Sequence, residues 1–182
     1  GEWALEMLLG EVLPSDAVLR QHRLQSRGVV VDFAVKAADD RLIPIDSKFP
    51  LEAFRRLAQA EADGTDDAKR LRSEFIRSVK GRVDEIAGKY ISPDDGTLEY
   101  ALMYLPSEAI YYELAVRDDD LGFSDYARNR KVMLCSPSTL YAYLQAIAMG
   151  IRGLHLNEQV RWIQATLQHL RQEAAKAREA FE

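Results

Sequence analysis

Val29-Val30-Val31-Asp32-Phe33-Ala34-Val35 and Leu42-Ile43-Pro44-Ile45-Asp46-Ser47-Lys48 decide the fold. Both runs are rich in β-branched residues, which suit a pleated surface, and Asp39-Asp40 between them marks a turn. They read as two strands of a hairpin. Successive strand side chains point to opposite faces. The odd positions Val29, Val31, Phe33 and Val35, with Ile43, Ile45 and Phe49, form an apolar set that reads as the core face. The even positions carry Asp32 and Lys36 on one strand, Asp46 and Lys48 on the other. An odd connecting loop, 38–40 or 37–41, sets Asp32 directly opposite Asp46. An even loop would misalign them and turn one apolar set outward, which the core forbids. The hydrophobic pattern therefore selects the register that gathers two carboxylates and Lys48 on one face. Pro44 has no N–H, so it signals an edge strand or an amide that needs no ladder partner.

Outward from the hairpin, residues 2–13 read as a helix stopped by Pro14, and 18–25 as a first strand. Pro50 opens a helix over 51–62. Asp63-Gly64-Thr65 separates it from a helix over 66–90, where Ala68, Leu71, Phe75, Val79, Val83 and Ile86 make one buried stripe. Residues 92–97 read as a loop, Tyr100–Leu105 as a strand, 107–117 and 120–128 as helices, and Val132–Cys135 as a strand. Ser136 caps a helix reaching about residue 150. Leu156, Val160, Ile163, Leu167, Leu170, Ala174, Ala177 and Phe181 then alternate spacings of four and three, a heptad seam. Such a seam packs on the domain's own helices or against another chain. The order predicts an α/β domain, a central mixed sheet flanked by helices, over 1–153, and a long helix of coiled-coil character over 154–182.

The formal net charge of −5 excludes a strongly basic nucleic-acid binder, so any DNA contact comes from local patches or through metal ions. The basic clusters at 20–27, 69–82 and 128–131 read mostly as solvated faces; the first or last would hold a DNA backbone if it bordered the acids. A single cysteine, Cys135, can form neither an internal disulfide nor a zinc cluster, which points to a reducing, cytoplasmic setting. No apolar run approaches the roughly 20 residues that span a bilayer, and no signal peptide is visible. His22, His155 and His169 have no metal-ligand spacing. Glu108 reads as an acid complementing a helix dipole, and Tyr111-Tyr112 as helix packing.

Two facing carboxylates repel and need a cation. Mg²⁺ is the natural candidate, a hard ion that takes oxygen ligands and keeps several waters. Lys48 beside it could orient a water or stabilise charge developing on a phosphate. The spacing is thus that of a phosphodiesterase-type site. An ordinary ion pair of Asp46 with Lys48 on a solvated sheet face fits the same residues equally well. A glycosidase with paired acids leaves Lys48 unused.

Several motifs occur in the order and spacing of a known family: Gly1-Glu2 opening a helix, Val31-Asp32, Ile45-Asp46-Ser47-Lys48, Met103-Tyr104-Leu105-Pro106-Ser107-Glu108, and Ser136-Pro137-Ser138-Thr139-Leu140. Over roughly residues 1–170 the chain resembles the RmuC family of DNA recombination proteins. The resemblance implies a restriction-endonuclease-like core of the PD-(D/E)xK class. It implies Glu2, Asp32 and Asp46 as ligands of Mg²⁺ or Mn²⁺, the Ser47 carbonyl as a further ligand, and Lys48 as the residue that assists the water. Members often carry proline where this chain has Val31, a strand-entry device rather than a chemical group. The resemblance further implies DNA as partner, an oligomer through the C-terminal helix, and, in full-length members, a membrane anchor and coiled coil preceding the core. No membrane contact is expected within this segment itself.

Overall fold

The computed structural model describes residues 1–37, 40–117 and 122–181; side-chain surroundings are described up to residue 168, except at 154 and 155. One five-stranded sheet runs in the order β1 (Val18–Leu24), β2 (Val29–Lys36), β3 (Leu42–Asp46), β4 (Ala101–Tyr104), β5 (Val132–Cys135). β2 runs antiparallel to both its neighbours, β1 and β3, and β4 and β5 continue parallel to β3. Helices α1 (Glu2–Val12), α2 (Leu51–Ala62), α3 (Ala68–Tyr90), α4 (Glu108–Tyr111), α5 (Phe123–Asn129) and α6 (Pro137–Phe181) surround it, so the expected mixed α/β architecture is what forms.

Two cores form, one on each face of the sheet. The predicted α3 stripe (Phe75, Val79, Val83, Ile86) packs with Ala101 and Met103 of β4. Leu5 and Leu9 of α1 and Leu140 and Leu144 of α6 pack with Phe33, Ile43, Ile45 and Leu102. Burial on both faces explains why β3 and β4 are buried at every position, whereas a one-sided sheet would alternate with solvent. The single apolar face expected for β2 is corrected accordingly. Val29 and Val31 join the α3 core, whereas Phe33 and Val35 join the α1/α6 core, and Asp32 sits at the changeover. Phe49 also lies on the α3 side, edge-on to Phe75 with ring centroids 6.0 Å apart.

Pro44 does not mark an edge, because β3 is the central strand. The alternative holds. The Leu42 N–H and carbonyl both bond toward the 96–98 segment, and Pro44, two residues on, faces the same side between that bridge and the β3–β4 pairs, which begin at Ile45.

The helix expected over 107–117 divides into α4 and a π-helical turn, Tyr112–Val116, against which the Ser124 hydroxyl donates to the Ala115 carbonyl at 3.3 Å. The helix expected from 120 starts at Phe123; Asp120 and Leu121 lie outside the described residues. Ser136 and Thr139 cap α6 reciprocally: the Thr139 N–H donates to Ser136 Oγ at 3.2 Å, and the Ser136 N–H to Thr139 Oγ1 at 2.8 Å. α6 then runs unbroken for 45 residues, so no break near residue 150 separates the two helices expected there. Of its seam, Leu156, Val160, Ile163 and Leu167 are exposed (63% at Leu156, 53% at Leu167) and do not pack on the domain. Leu170, Ala174, Ala177 and Phe181 lie outside the described side chains.

Candidate functional site

The β2–β3 pairing runs from Lys36↔Leu42 to Phe33↔Ile45, so five residues separate the paired strands, the odd number that the hydrophobic pattern requires. Continued by one residue, the same register sets Asp32 across from Asp46. Both carboxylates are buried, Asp46 to 1% exposure and Asp32 to 8%. This is no solvated ion pair of Asp46 with Lys48. Instead Lys48 Nζ lies 3.4 Å from Asp32 Oδ2, and the Lys48 backbone N–H donates to Asp46 Oδ2 at 3.2 Å. Asp32 Oδ2 has no hydrogen-bond partner despite its burial; the 3.4 Å approach of Lys48 supplies charge without bonding geometry. A buried oxygen left in that state is costly unless something else binds it.

Asp46 has a partner that sequence reasoning did not assign. Arg82, on α3, donates through Nη2 to Asp46 Oδ1 at 2.8 Å and through Nε to Oδ2 at 3.1 Å, a bidentate fork. Its Nε also donates to the Lys48 carbonyl at 3.1 Å, and its Nη1 pairs with Glu85. Burial pushes the Asp46 carboxyl above its usual range, opposed by Arg82 and reinforced by the nearby Asp32 charge. Burial works against the Arg82 cation, but the bonds and charge of Asp46 outweigh it and raise its pKa. The signal in the sequence was position: Arg82 lies between Val79 and Val83 of the buried stripe and closes the 69–82 basic cluster. That cluster, rather than 20–27 or 128–131, reaches the acids.

Gln21 is a second unassigned neighbour. It stands across from Asp32 in the β1–β2 register, has a left-handed backbone (φ 46°), and donates through Nε2 to Asp32 Oδ1 at 3.4 Å. A non-glycine residue held in that region inside a strand is strained, a feature that gathers at working sites.

The sheet end opens into a cleft of about 690 Å³, lined by Gly1, Glu2, Ser47, Lys48, Ser78 and Arg82 among others. α1 starts against it: a Cβ on Gly1 would stand 3.2 Å from the Ser47 carbonyl oxygen. Glu2 is thus beside the cleft but exposed, and among the described residues no three Asp, Glu, His or Cys side chains converge as a metal-holding group. Two buried aspartates on adjacent strands and the Ser47 carbonyl beside Gly1 suit a hard divalent cation by their chemistry. Asp32 Oδ2 has the Lys48 charge at 3.4 Å but no hydrogen bond, whereas both Asp46 oxygens are engaged by Arg82.

Other assignments resolve plainly. Glu108 caps a neighbouring helix: its carboxylate accepts the Ser138 N–H at 2.9 Å at the start of α6, which holds its pKa below the usual range. Cys135 is buried on β5, and burial pushes its thiol up to about 12. His22 joins no metal-holding group, while the side chains of His155 and His169 lie outside those described. No helix among the described residues is long and apolar enough to cross a membrane.

Fold and site together define a mixed α/β domain with a charged cleft at the end of its central strand. The chain matches the RmuC family model over residues 1–182 and belongs to that family. It is similar to the DNA recombination protein RmuC homolog of Xylella fastidiosa, 29% identical over 97% of this chain and 40% of that one. It is likewise similar to the homolog of Neisseria meningitidis, 30% identical over 87% of this chain and 28% of that protein. The DNA recombination protein RmuC of Salmonella typhimurium is 26% identical over 90% of this chain and 36% of its own. The chain therefore spans less than half the length of these relatives. No solved structure matches it.

Proposed function

We propose that this domain hydrolyses phosphodiester bonds of DNA in recombination, with a PD-(D/E)xK-type site built from Asp32, Asp46 and Lys48. The observation that carries the reading is the register: continued one residue past Phe33↔Ile45, it sets two buried carboxylates opposite one another, with Lys48 beside them and lining the adjoining cleft. A structural ion pair does not need Asp32 Oδ2 buried without a hydrogen bond. Mg²⁺ or Mn²⁺ would be held by Asp32, Asp46 and the Ser47 carbonyl, with Glu2 reaching in from α1. When bound, such an ion lowers the pKa of water and neutralises charge on phosphate.

The chain's own residues do the rest. Lys48, 61% exposed at its side chain, reaches from Asp32 into the cleft, where its ammonium can orient the water. The water gives up one proton to solvent as its oxygen bonds to phosphorus, the P–O ester bond breaks, and the departing oxygen takes up a proton from solvent. The name of the relatives supplies the setting, DNA recombination. A second chain would cover the exposed α6 seam, so the working form is a homo-oligomer. We place the domain on the cytoplasmic side.

One observation favours a second reading, a DNA-binding scaffold that keeps the nuclease fold without turnover: Asp46 is already neutralised by Arg82. The test is cleavage of linear, supercoiled and branched DNA in Mg²⁺, Mn²⁺ or EDTA, with Asp46→Ala and Lys48→Ala alongside. Metal-dependent cutting lost in both variants is expected. DNA binding without cutting, equal in all three proteins, would replace the nuclease with the scaffold.

A further inference from the structure

The feature that the proposed chemistry does not absorb is Arg82. A ligand carboxylate awaiting a cation should present at least one free oxygen, and Asp46 presents none. Both oxygens are taken by one guanidinium whose side chain is 16% exposed, while Asp46 is 1% exposed. Across the sheet, Asp32 shows the opposite condition, buried with Oδ2 unbonded. One acid is therefore held by a bidentate fork from within the fold, whereas the other has the Lys48 charge at 3.4 Å but no hydrogen bond at Oδ2.

We propose that Arg82 is a gate on metal loading: its guanidinium holds Asp46 in place of the divalent ion, and moves to the substrate's phosphate when DNA enters. This rests on the nuclease reading of the site. Three observations carry it. Arg82 lines the cleft together with Lys48 and Ser47, the space that a phosphodiester would enter. Its planar fork fits a phosphate as well as a carboxylate, so exchange between the two keeps both hydrogen bonds. Glu85, beside it on α3, pairs with Arg82 Nη1 and gives the released guanidinium an anionic neighbour outside the carboxylate pair.

Because the metal and Arg82 compete for the same oxygens, and DNA draws Arg82 away, metal and DNA must strengthen each other's binding equally. Arg82 is thus a positioning residue that couples the two, and the site stays unloaded until substrate is present.

The test is Mn²⁺ titration of the full chain, followed by the electron paramagnetic resonance signal of free Mn²⁺, with and without a DNA duplex, at times before cleavage. Wild type should bind Mn²⁺ weakly alone and about tenfold or more tightly with DNA. Arg82→Gln should bind Mn²⁺ about tenfold more tightly without DNA, and DNA should then add little. Arg82→Lys, which keeps a charge but not the fork, should fall between, and serves if the glutamine variant does not fold. Asp46→Asn should lose Mn²⁺ under both conditions. Unchanged Mn²⁺ affinity in folded Arg82→Gln, with binding still lost in Asp46→Asn, would overturn the gate and leave the metal site standing. No Mn²⁺ binding by any folded variant would remove the metal site, and the gate with it.

Discussion

Cutting the Arg82–Asp46 pair from its two ends should have unequal costs. Asp46 is buried to 1% and, among the described residues, has besides Arg82 only the Lys48 N–H at 3.2 Å. Arg82 is more exposed, at 16%, and keeps Glu85 and the Lys48 carbonyl if Asp46 goes. Arg82→Ala therefore strands a buried charge, a change that costs about 3–5 kcal/mol. Protonation caps the loss: neutralising a carboxyl of ordinary pKa at pH 7 costs about 4 kcal/mol. Asp46→Asn removes the charge, keeps the shape and leaves a cation with other acceptors, a loss of roughly 1–2 kcal/mol. In a chain of this size these correspond to melting-temperature drops of about 6–16 °C and about 2–8 °C. The assay is thermal unfolding by circular dichroism at pH 7 with EDTA, so that no added metal substitutes for the arginine. The double variant should melt higher than Arg82→Ala alone, because the asparagine needs no counter-ion and the two changes do not add. A drop for Asp46→Asn as large as that for Arg82→Ala, or a double variant less stable than both, would refute the account of which partner needs the other.

Three further outcomes follow from the structure. Cys135, buried with its thiol pushed up to about 12, should stay unmodified by a thiol reagent at pH 8 in native protein and react fully in denaturant; rapid native labelling would contradict its burial. Glu108→Ala should cost roughly 0.5–1 kcal/mol by removing a cap from α6, discounted toward the lower figure by solvent exposure. Because the folded pKa of Glu108 is lowered, that contribution is present above its ordinary value of 4.5 and lost as pH falls through the folded one. Wild-type and variant unfolding curves should then converge in acid, and a gap that widens there would exclude the cap. Leu156→Glu with Ile163→Glu, on the exposed α6 seam, should convert an oligomer to monomer by light scattering without altering the melting of the α/β core. An unchanged mass would show that the seam holds no second chain.

The hairpin register was readable from residues 29–49 alone, because a one-residue slip would expose a whole apolar set. That local rule set Asp32 opposite Asp46 and put Lys48 beside them. The α3 stripe was readable for the same reason, since helical period reports which residues share a face. The covering of both sheet faces was not, and it changed the meaning of those patterns: β2 divides its apolar residues between two cores, and Pro44 falls in the central strand. Nor could the sequence show that Arg82, 36 residues from Asp46, would be its partner, or that Gln21 would stand in left-handed backbone across from Asp32. Periodicity within one element says which face a side chain takes. It does not say which other element lies against that face, and the pairing that governs this site spans a strand and a helix whose relation only the packed tertiary structure decides.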